Sequence, residues 1–147
     1  MIPERLRKQL EAHEDIFFRE DEALALIALN NLGISTDSEF AKVLIPYVLA
    51  EIFSTVSNVT IVDLSGPCEA VLRSTNFIHR QWNLPENLVC FTSLEGEGGY
   101  IMDKISGRIW DFDLAEREMF LKGEIPHQWN GFFEFTEWYI SPARRAS

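Results

Sequence analysis

Three groupings of side chains have the types and spacing for chemistry. Asp111-x-Asp113 puts two carboxylates at i and i+2, one face of a strand, with Asp103 across a turn from them. Such a set could ligate Ca²⁺ or Mg²⁺, or divide acid and base roles. Acids also line the solvated side of hairpins, and that plain role, or recognition of a partner, is the stronger reading here. Glu95-Gly96-Glu97-Gly98-Gly99 has the glycine density of a phosphate cradle. No Lys-Ser/Thr follows it, no helix is expected to begin there, and its two acids would repel phosphate. A loop with positive-φ glycines is expected instead. His13, His79, His127, Cys68 and Cys90 match no zinc spacing, and neither cysteine has a neighbouring base or cationic setting to make it a nucleophile. No catalytic residue, metal ligand or cofactor is assigned.

Charge narrows the partners. The chain of 147 residues carries 13 bases and 23 acids, a formal net charge of −10. That field opposes phosphate backbones and anionic lipid, and speeds encounter with a basic protein. Solubility alone would explain it as well. The acids are spread: Glu95 to Glu124 holds eight acids and four bases, and Met1 to Glu22 holds seven and four. Trp110, Trp129, Trp138 and Tyr139 could stack bases, but stacking platforms come with a basic groove, so nucleic acid is not expected. These rings are expected in the core, with any exposed member anchoring a protein interface.

No membrane span is expected, since the best apolar run, Val43 to Val56, is interrupted by Glu51. Met1 to Glu14 mixes charges and lacks the apolar stretch of a secretory signal, so a cytoplasmic protein with reduced thiols is expected. At 46% apolar residues, with eleven Phe and four Trp, the chain fits one domain over 1–147 with its core at about 20–141.

The elements that must position these groups fall into two halves. Pro3 to Glu14 reads as a charged helix with Ile2, Leu6 and Leu10 at spacings of four. A second helix runs from Asp21 to Asn31-Leu32-Gly33-Ile34, where Gly33 can take the left-handed cap and Ile34 can fold back in a Schellman-like contact. Thr36 and Glu39 have capping-box spacing. Phe40, Val43, Leu44, Tyr47, Val48 and Ile52 then follow a helical face that Pro46 should kink or restart. Asn58 to Leu64 reads as a short strand, Ser65-Gly66-Pro67 as a turn, and Glu69 to Trp82 as a helix with Val71, Thr75, Ile78 and Trp82 near one side. The second half is a meander. Leu88 to Thr92 is a strand, and Tyr100–Ile105 and Arg108–Phe112 form a hairpin across Ser106-Gly107. In its second arm Ile109, Asp111 and Asp113 alternate with Trp110 and Phe112, predicting one apolar and one wet face. Leu114 to Trp129 reads as loop with a short helix, Phe132 to Ile140 as an aromatic closing helix with Glu134 and Glu137 outward, and Ala143 to Ser147 as a frayed tail. The expected fold is α+β, an antiparallel β-meander with N-terminal helices and a C-terminal helix packed on the sheet.

At Leu84-Pro85-Glu86-Asn87-Leu88-Val89-Cys90-Phe91 the pattern resembles the SUKH (SMI1/KNR4-like) family. The likeness continues through Gly96-Glu97-Gly98-Gly99-Tyr100-Ile101-Met102-Asp103 and Ser106-Gly107-Arg108-Ile109-Trp110-Asp111-Phe112-Asp113. It takes in Leu32-Gly33-Ile34 through Phe40 to Tyr47, and the closing Phe132-Phe133-Glu134-Phe135. It covers roughly residues 30 to 141, although the family's Leu-Pro reads Ser35-Thr36 here, its Asn-Gly after that helix is absent, and Asn58 to Trp82 has little to match. The resemblance implies a non-catalytic, protein-binding domain: a bacterial immunity protein that neutralises a cognate toxin, often a nuclease, or a scaffold or regulatory adaptor like the fungal members. A small enzyme using surface carboxylates is the remaining alternative. Joined to the acidic charge, the resemblance points to a basic toxin domain as partner. Glu95, Glu97, Asp111, Asp113, Glu116 and Glu118, clustered in loops and on one hairpin face, are the expected recognition edge.

Overall fold

A computed structural model of the chain describes residues 1–50, 52, 54, 56, 57, 59–64, 70–94 and 96–141. The first helix, α1 (Glu4–Ala12), buries Leu6 and Leu10 completely and leaves its charged side to solvent. A two-residue strand, β1 (Phe17–Phe18), follows where no strand was expected. Helix α2 (Glu22–Leu32) starts at Asp21, whose carboxylate accepts from the Ala23 N–H at 3.0 Å. It ends as expected. Gly33 takes φ +71°, its N–H donates to Asn30 O at 3.1 Å, and Ile34 N–H donates to Leu29 O at 3.0 Å, the paired bonds of a Schellman motif. Ile34 and Leu29 are both buried, so the motif's apolar contact is part of the core.

The next helix departs from expectation at both ends. Helix α3 (Glu39–Leu44) is capped by Ser38, whose hydroxyl accepts from Ala41 N–H at 3.1 Å, not by Thr36. Ser38 and Glu39 are adjacent, so the reciprocal box cannot close, and the Glu39 carboxylate works elsewhere. Its C-terminus is also earlier than the apolar period implies. Pro46 has no N–H to offer Lys42 O, so the helix stops, and Tyr47–Val48 becomes strand β2 in place of a second helix. Strand β2 pairs antiparallel with β1, Phe17 opposite Val48 and Phe18 opposite Tyr47. Arg19 locks this corner. Its guanidinium donates to Leu44 O at 3.0 and 2.8 Å and to Ile45 O at 3.1 Å, and pairs with Asp63 at 3.3 Å, while its side chain is only 6% exposed. A cation thus satisfies the orphan carbonyls at the end of α3.

Helix α4 (Ala70–Arg80) buries Val71, Thr75 and Ile78 on the side read from the sequence, and Trp82 beyond it is buried too. The meander forms as a three-stranded antiparallel sheet, β3 (Leu88–Cys90), β4 (Gly98–Asp103) and β5 (Ile109–Asp113), in that order. Register pairs Val89 with Met102, Cys90 with Ile101, Ile101 with Trp110 and Tyr100 with Asp111. The segment expected as a strand at Asn58–Leu64 contributes only an isolated bridge, Ile61 to Thr92, with backbone bonds from Val62 to Phe91 O and Ser93 to Thr60 O. Asn58 itself, Glu69 and the turn Ser65-Gly66-Pro67 lie outside the described residues, as does the tail expected at Ala143 to Ser147. The β4–β5 connection is longer than a Ser-Gly turn. Residues 104–107 loop over the Asp103 carboxylate, which accepts from Ile105 N–H at 2.9 Å, and Gly107 closes it at φ +83°.

Both faces of the sheet are largely covered, so the expected wet face is reduced to Asp111 and Asp113 at the end of β5, while Ile109 on the same face is buried. Val89, Phe91, Tyr100, Met102 and Ile109 enter one cluster with α1, α2, α3 and the closing helix. Leu88, Cys90, Ile101 and Phe112 enter another with Ile78, Trp82 and Leu84. On β5 the exposed positions are Asp111 and Asp113, which alternate with the buried Phe112. A 3₁₀ turn (Leu114–Glu116) and helix α5 (Arg117–Leu121) follow, and α6 (Phe132–Tyr139) closes the main cluster. Phe135 sits at its centre, with ring contacts to Phe91, Tyr100, Trp129 and Phe132 at 5.0 to 5.8 Å. Glu39 caps this helix from 94 residues away, accepting from Phe133 N–H at 2.9 Å. Gly131 is needed there because a β-carbon would occupy the place of the Glu39 carboxylate. Among the described residues the architecture is α+β, with six α-helices and two small antiparallel sheets.

Candidate functional site

The acids expected to act together are brought partly together by β5 and the turn after it. Asp111 and Asp113 are separated by one residue on a strand, so both carboxylates leave the same face. Asp113 Oδ1 accepts from Ala115 N–H at 2.9 Å and so starts the 3₁₀ turn that carries Glu116. On the neighbouring strand Gly98 pairs with Asp113, and Glu97 O accepts from Leu114 N–H at 2.8 Å, which ties Glu97 to the same end. Glu97, Asp111, Asp113 and Glu116 are all exposed there. Glu118 is diverted: it pairs with Arg117 at 2.7 Å, and Arg117 is anchored on the carbonyls of Trp82 at 2.6 Å and Asn83 at 3.3 Å. Glu95 lies outside the described residues.

The electrostatics of this end are unrelieved. Partial burial pushes the Asp111 carboxyl above its ordinary value, and the negative charges of Asp113 and Glu116 push it further. Among the described residues no base pairs with any of the three. Like charges held in this way are what an incoming cationic surface would neutralise.

The carboxylate trio with Asp103 does not form. Asp103 pairs with Leu88 and so lies on the opposite face of the sheet from Asp111 and Asp113. It also stands five residues along β4 from the partner of Asp113, about 17 Å at strand spacing. Burial raises its pKa, but hydrogen bonds from the Ile105 N–H, Asn87 and Ser106 outweigh that and leave it below the ordinary value. Its role is to hold a turn. No group of three or more His, Cys, Asp and Glu with metal-site geometry occurs among the described residues.

The other sequence candidates resolve into structural roles. Gly98 and Gly99 are places of close approach, because a β-carbon at Gly98 would sit 2.8 Å from Phe112 O and one at Gly99 3.1 Å from Leu94. Cys90 is wholly buried, and burial pushes its thiol up to about 11, the reverse of an activated nucleophile. Cys68 lies outside the described residues. His79 donates to Leu88 O at 2.8 Å, His127 to Asn130 at 2.8 Å, and His13 accepts from Asp15 N–H at 3.1 Å, each within its own neighbourhood. Tyr139 is buried, donates to Val59 O at 3.0 Å and is pushed up to about 12 by burial. Trp129 is buried, whereas Trp110 and Trp138 are half-buried.

Described residues also form surface clefts. One of about 380 Å³ lies between Pro85, Arg108, Trp110, Phe120 and His127, with Asp103 as its acid. Another, about 250 Å³, lies beside Lys104 and includes Glu39, already committed to capping α6. Neither collects a pair of free carboxylates.

Sequence reasoning missed a different feature. Phe17, Phe18, Leu24, Leu26 and Ile27 are 44 to 66% exposed. The signal was in α2 itself, whose sequence EALALIALNNL is apolar nearly all round, although a helix on a domain surface needs only one apolar stripe. No helix is long and apolar enough to cross a membrane among the described residues. In comparisons with known proteins, the chain matches no protein-family model and no curated protein.

Proposed function

We propose that this chain is a non-catalytic protein-binding domain of the SUKH type, an immunity protein that neutralises a cognate basic toxin domain in the cytoplasm. Nucleases are the fitting class of toxin, since enzymes that hold phosphate backbones carry basic surfaces. The observation that carries the reading is the set Asp111, Asp113 and Glu116, where partial burial and the two neighbouring acids raise the proton affinity of Asp111 and, among the described residues, no base pairs with any of the three. Glu97 extends the same edge. The family resemblance is supported by where its motifs fall: Leu32-Gly33-Ile34 at the close of α2, Leu88–Cys90 and Gly98–Asp103 as neighbouring strands, and Phe132-Phe133-Glu134-Phe135 in the closing helix.

The test is protection. The chain is co-expressed with a toxin domain of the basic nuclease class, taken from a neighbouring gene where one encodes it, and cell survival is measured. Wild type is expected to protect, and Asp111→Lys/Asp113→Lys/Glu116→Lys to associate at least tenfold more slowly and with a shallower salt dependence. Equal killing with and without the wild-type chain would end the immunity reading. Unchanged association of the triple variant would remove this edge from it.

A further inference from the structure

We infer that β1 and the outer face of α2 form a docking surface for a basic partner that presents an apolar centre ringed by Lys and Arg. The inference rests on the protein-binding reading above and gives it a second place on the molecule. Ten large hydrophobic residues are exposed among the described residues, and five of them fall in the eleven-residue stretch from Phe17 to Ile27. That concentration separates the stretch from the singly scattered apolar residues of any surface. On α2 the geometry is explicit. Ala25, Leu29 and Leu32 face the core, Ala23 and Ile27 lie opposite them with Leu24 and Leu26 on the two flanks, and the polar positions of that outer side are Asn30 and Asn31 rather than charges.

Charge selects the occupant. Glu14, Glu20, Asp21 and Glu22 are exposed around this apolar stretch. The one base within it, Arg19, has its side chain 6% exposed, with its guanidinium turned inward to the carbonyls of Leu44 and Ile45 and to Asp63. The surface therefore shows the outside apolar groups and negative charge. A second copy of the chain would bring the same acids against these, since a two-fold interface opposes a patch to itself. A cationic rim around an apolar centre removes that repulsion and covers the aromatic ring that β1 turns to that side, Phe17 and Phe18 pointing to opposite faces as neighbours on a strand.

The full chain, ¹⁵N-labelled, is titrated with an 18-residue amphipathic helix of Leu and Lys, and separately with its Leu and Glu counterpart. Amide shifts should concentrate at residues 16–31 with the Lys peptide, fall away with added salt, and be absent with the Glu peptide. Leu24→Gln/Ile27→Gln alters only exposed positions and should weaken binding about tenfold; Phe17→Ser supplies an independent variant. Shifts confined to Glu97, Asp113 and Glu116, equal binding of the Glu peptide, or no binding at low salt would each overturn the inference. So would a dimer in sedimentation that the double variant dissociates. The toxin assay separates the two readings: if wild type protects and Leu24→Gln/Ile27→Gln protects equally, the docking surface is misplaced, whereas failure of wild type itself sinks the immunity reading.

Discussion

Asp111 is the side chain whose charge costs the fold most visibly. Its pKa is raised by partial burial and by Asp113 and Glu116, so the folded state holds its proton more tightly than the unfolded chain does. The associated stability is fully present below the unfolded value and is lost as pH rises through the raised folded value. At neutral pH the charge is therefore unfavourable, and Asp111→Asn should raise the melting temperature there, with the difference vanishing when both states are protonated near pH 3. A melting temperature unchanged or lowered at pH 7 would contradict this account. Arg19 is the opposite case. It satisfies carbonyls of Leu44 and Ile45 and pairs with Asp63 from a nearly buried position, so Arg19→Met should cost about 3 kcal/mol in chemical denaturation, most of it from groups left unpaired. Arg19→Lys should recover little, because an ammonium lacks the planar fork that reaches several carbonyls at once.

Among the elements, those whose signals are local were legible and those decided by distant partners were not. Gly33 and Ile34 announce the end of α2, because only a glycine accepts that left-handed backbone without strain and the following apolar residue completes the contact. Gly33→Ala should cost about 1 kcal/mol by thermal unfolding. The alternation of Leu88 to Phe112 likewise announces three strands, while their cover on both faces depends on α4 and α6, far apart in the chain. Tyr47 and Val48 fit the helical period as well as any strand, and only pairing with Phe17 and Phe18 makes them β2. Glu39 was read as a partner of Thr36; its true partner, Phe133, is 94 residues on, and no spacing rule reaches that far. Glu39→Ala should loosen α6 by about 1 kcal/mol, a typical cap loss, and hydrogen exchange should show it first at Phe133 and Glu134. For the candidate edge, Asp111, Asp113 and Glu116 were legible because one strand and one turn join them. Glu118 was not, because Arg117 reaches across to Trp82 and Asn83.

The two hydrophobic clusters share one sheet, and that sharing governs how the protein comes apart. Residues of β3 and β4 alternate between the clusters, Val89 and Met102 facing one and Cys90 and Ile101 the other, so neither cluster can be lost while the strands that line the other stay paired. Unfolding should therefore be a single transition, as small domains usually show. The tryptophans make this measurable. Trp82 stacks on Phe112 at 5.4 Å in the α4 cluster, whereas Trp129 and Trp138 pack with Phe135 in the α6 cluster. Single-tryptophan variants that retain Trp82 alone or Trp129 alone should each give a urea midpoint that agrees with far-UV circular dichroism of the same variant. Phe135→Ala should lower both probes' midpoints together, by a destabilisation of about 3–5 kcal/mol. A variant in which the Trp129 signal melts early while Trp82 holds would show that the sheet does not couple its two faces. In that case the acidic end of β5 and the apolar side of α2, which both belong to the Trp129 side of the sheet, would be lost together while the α4 side stayed folded.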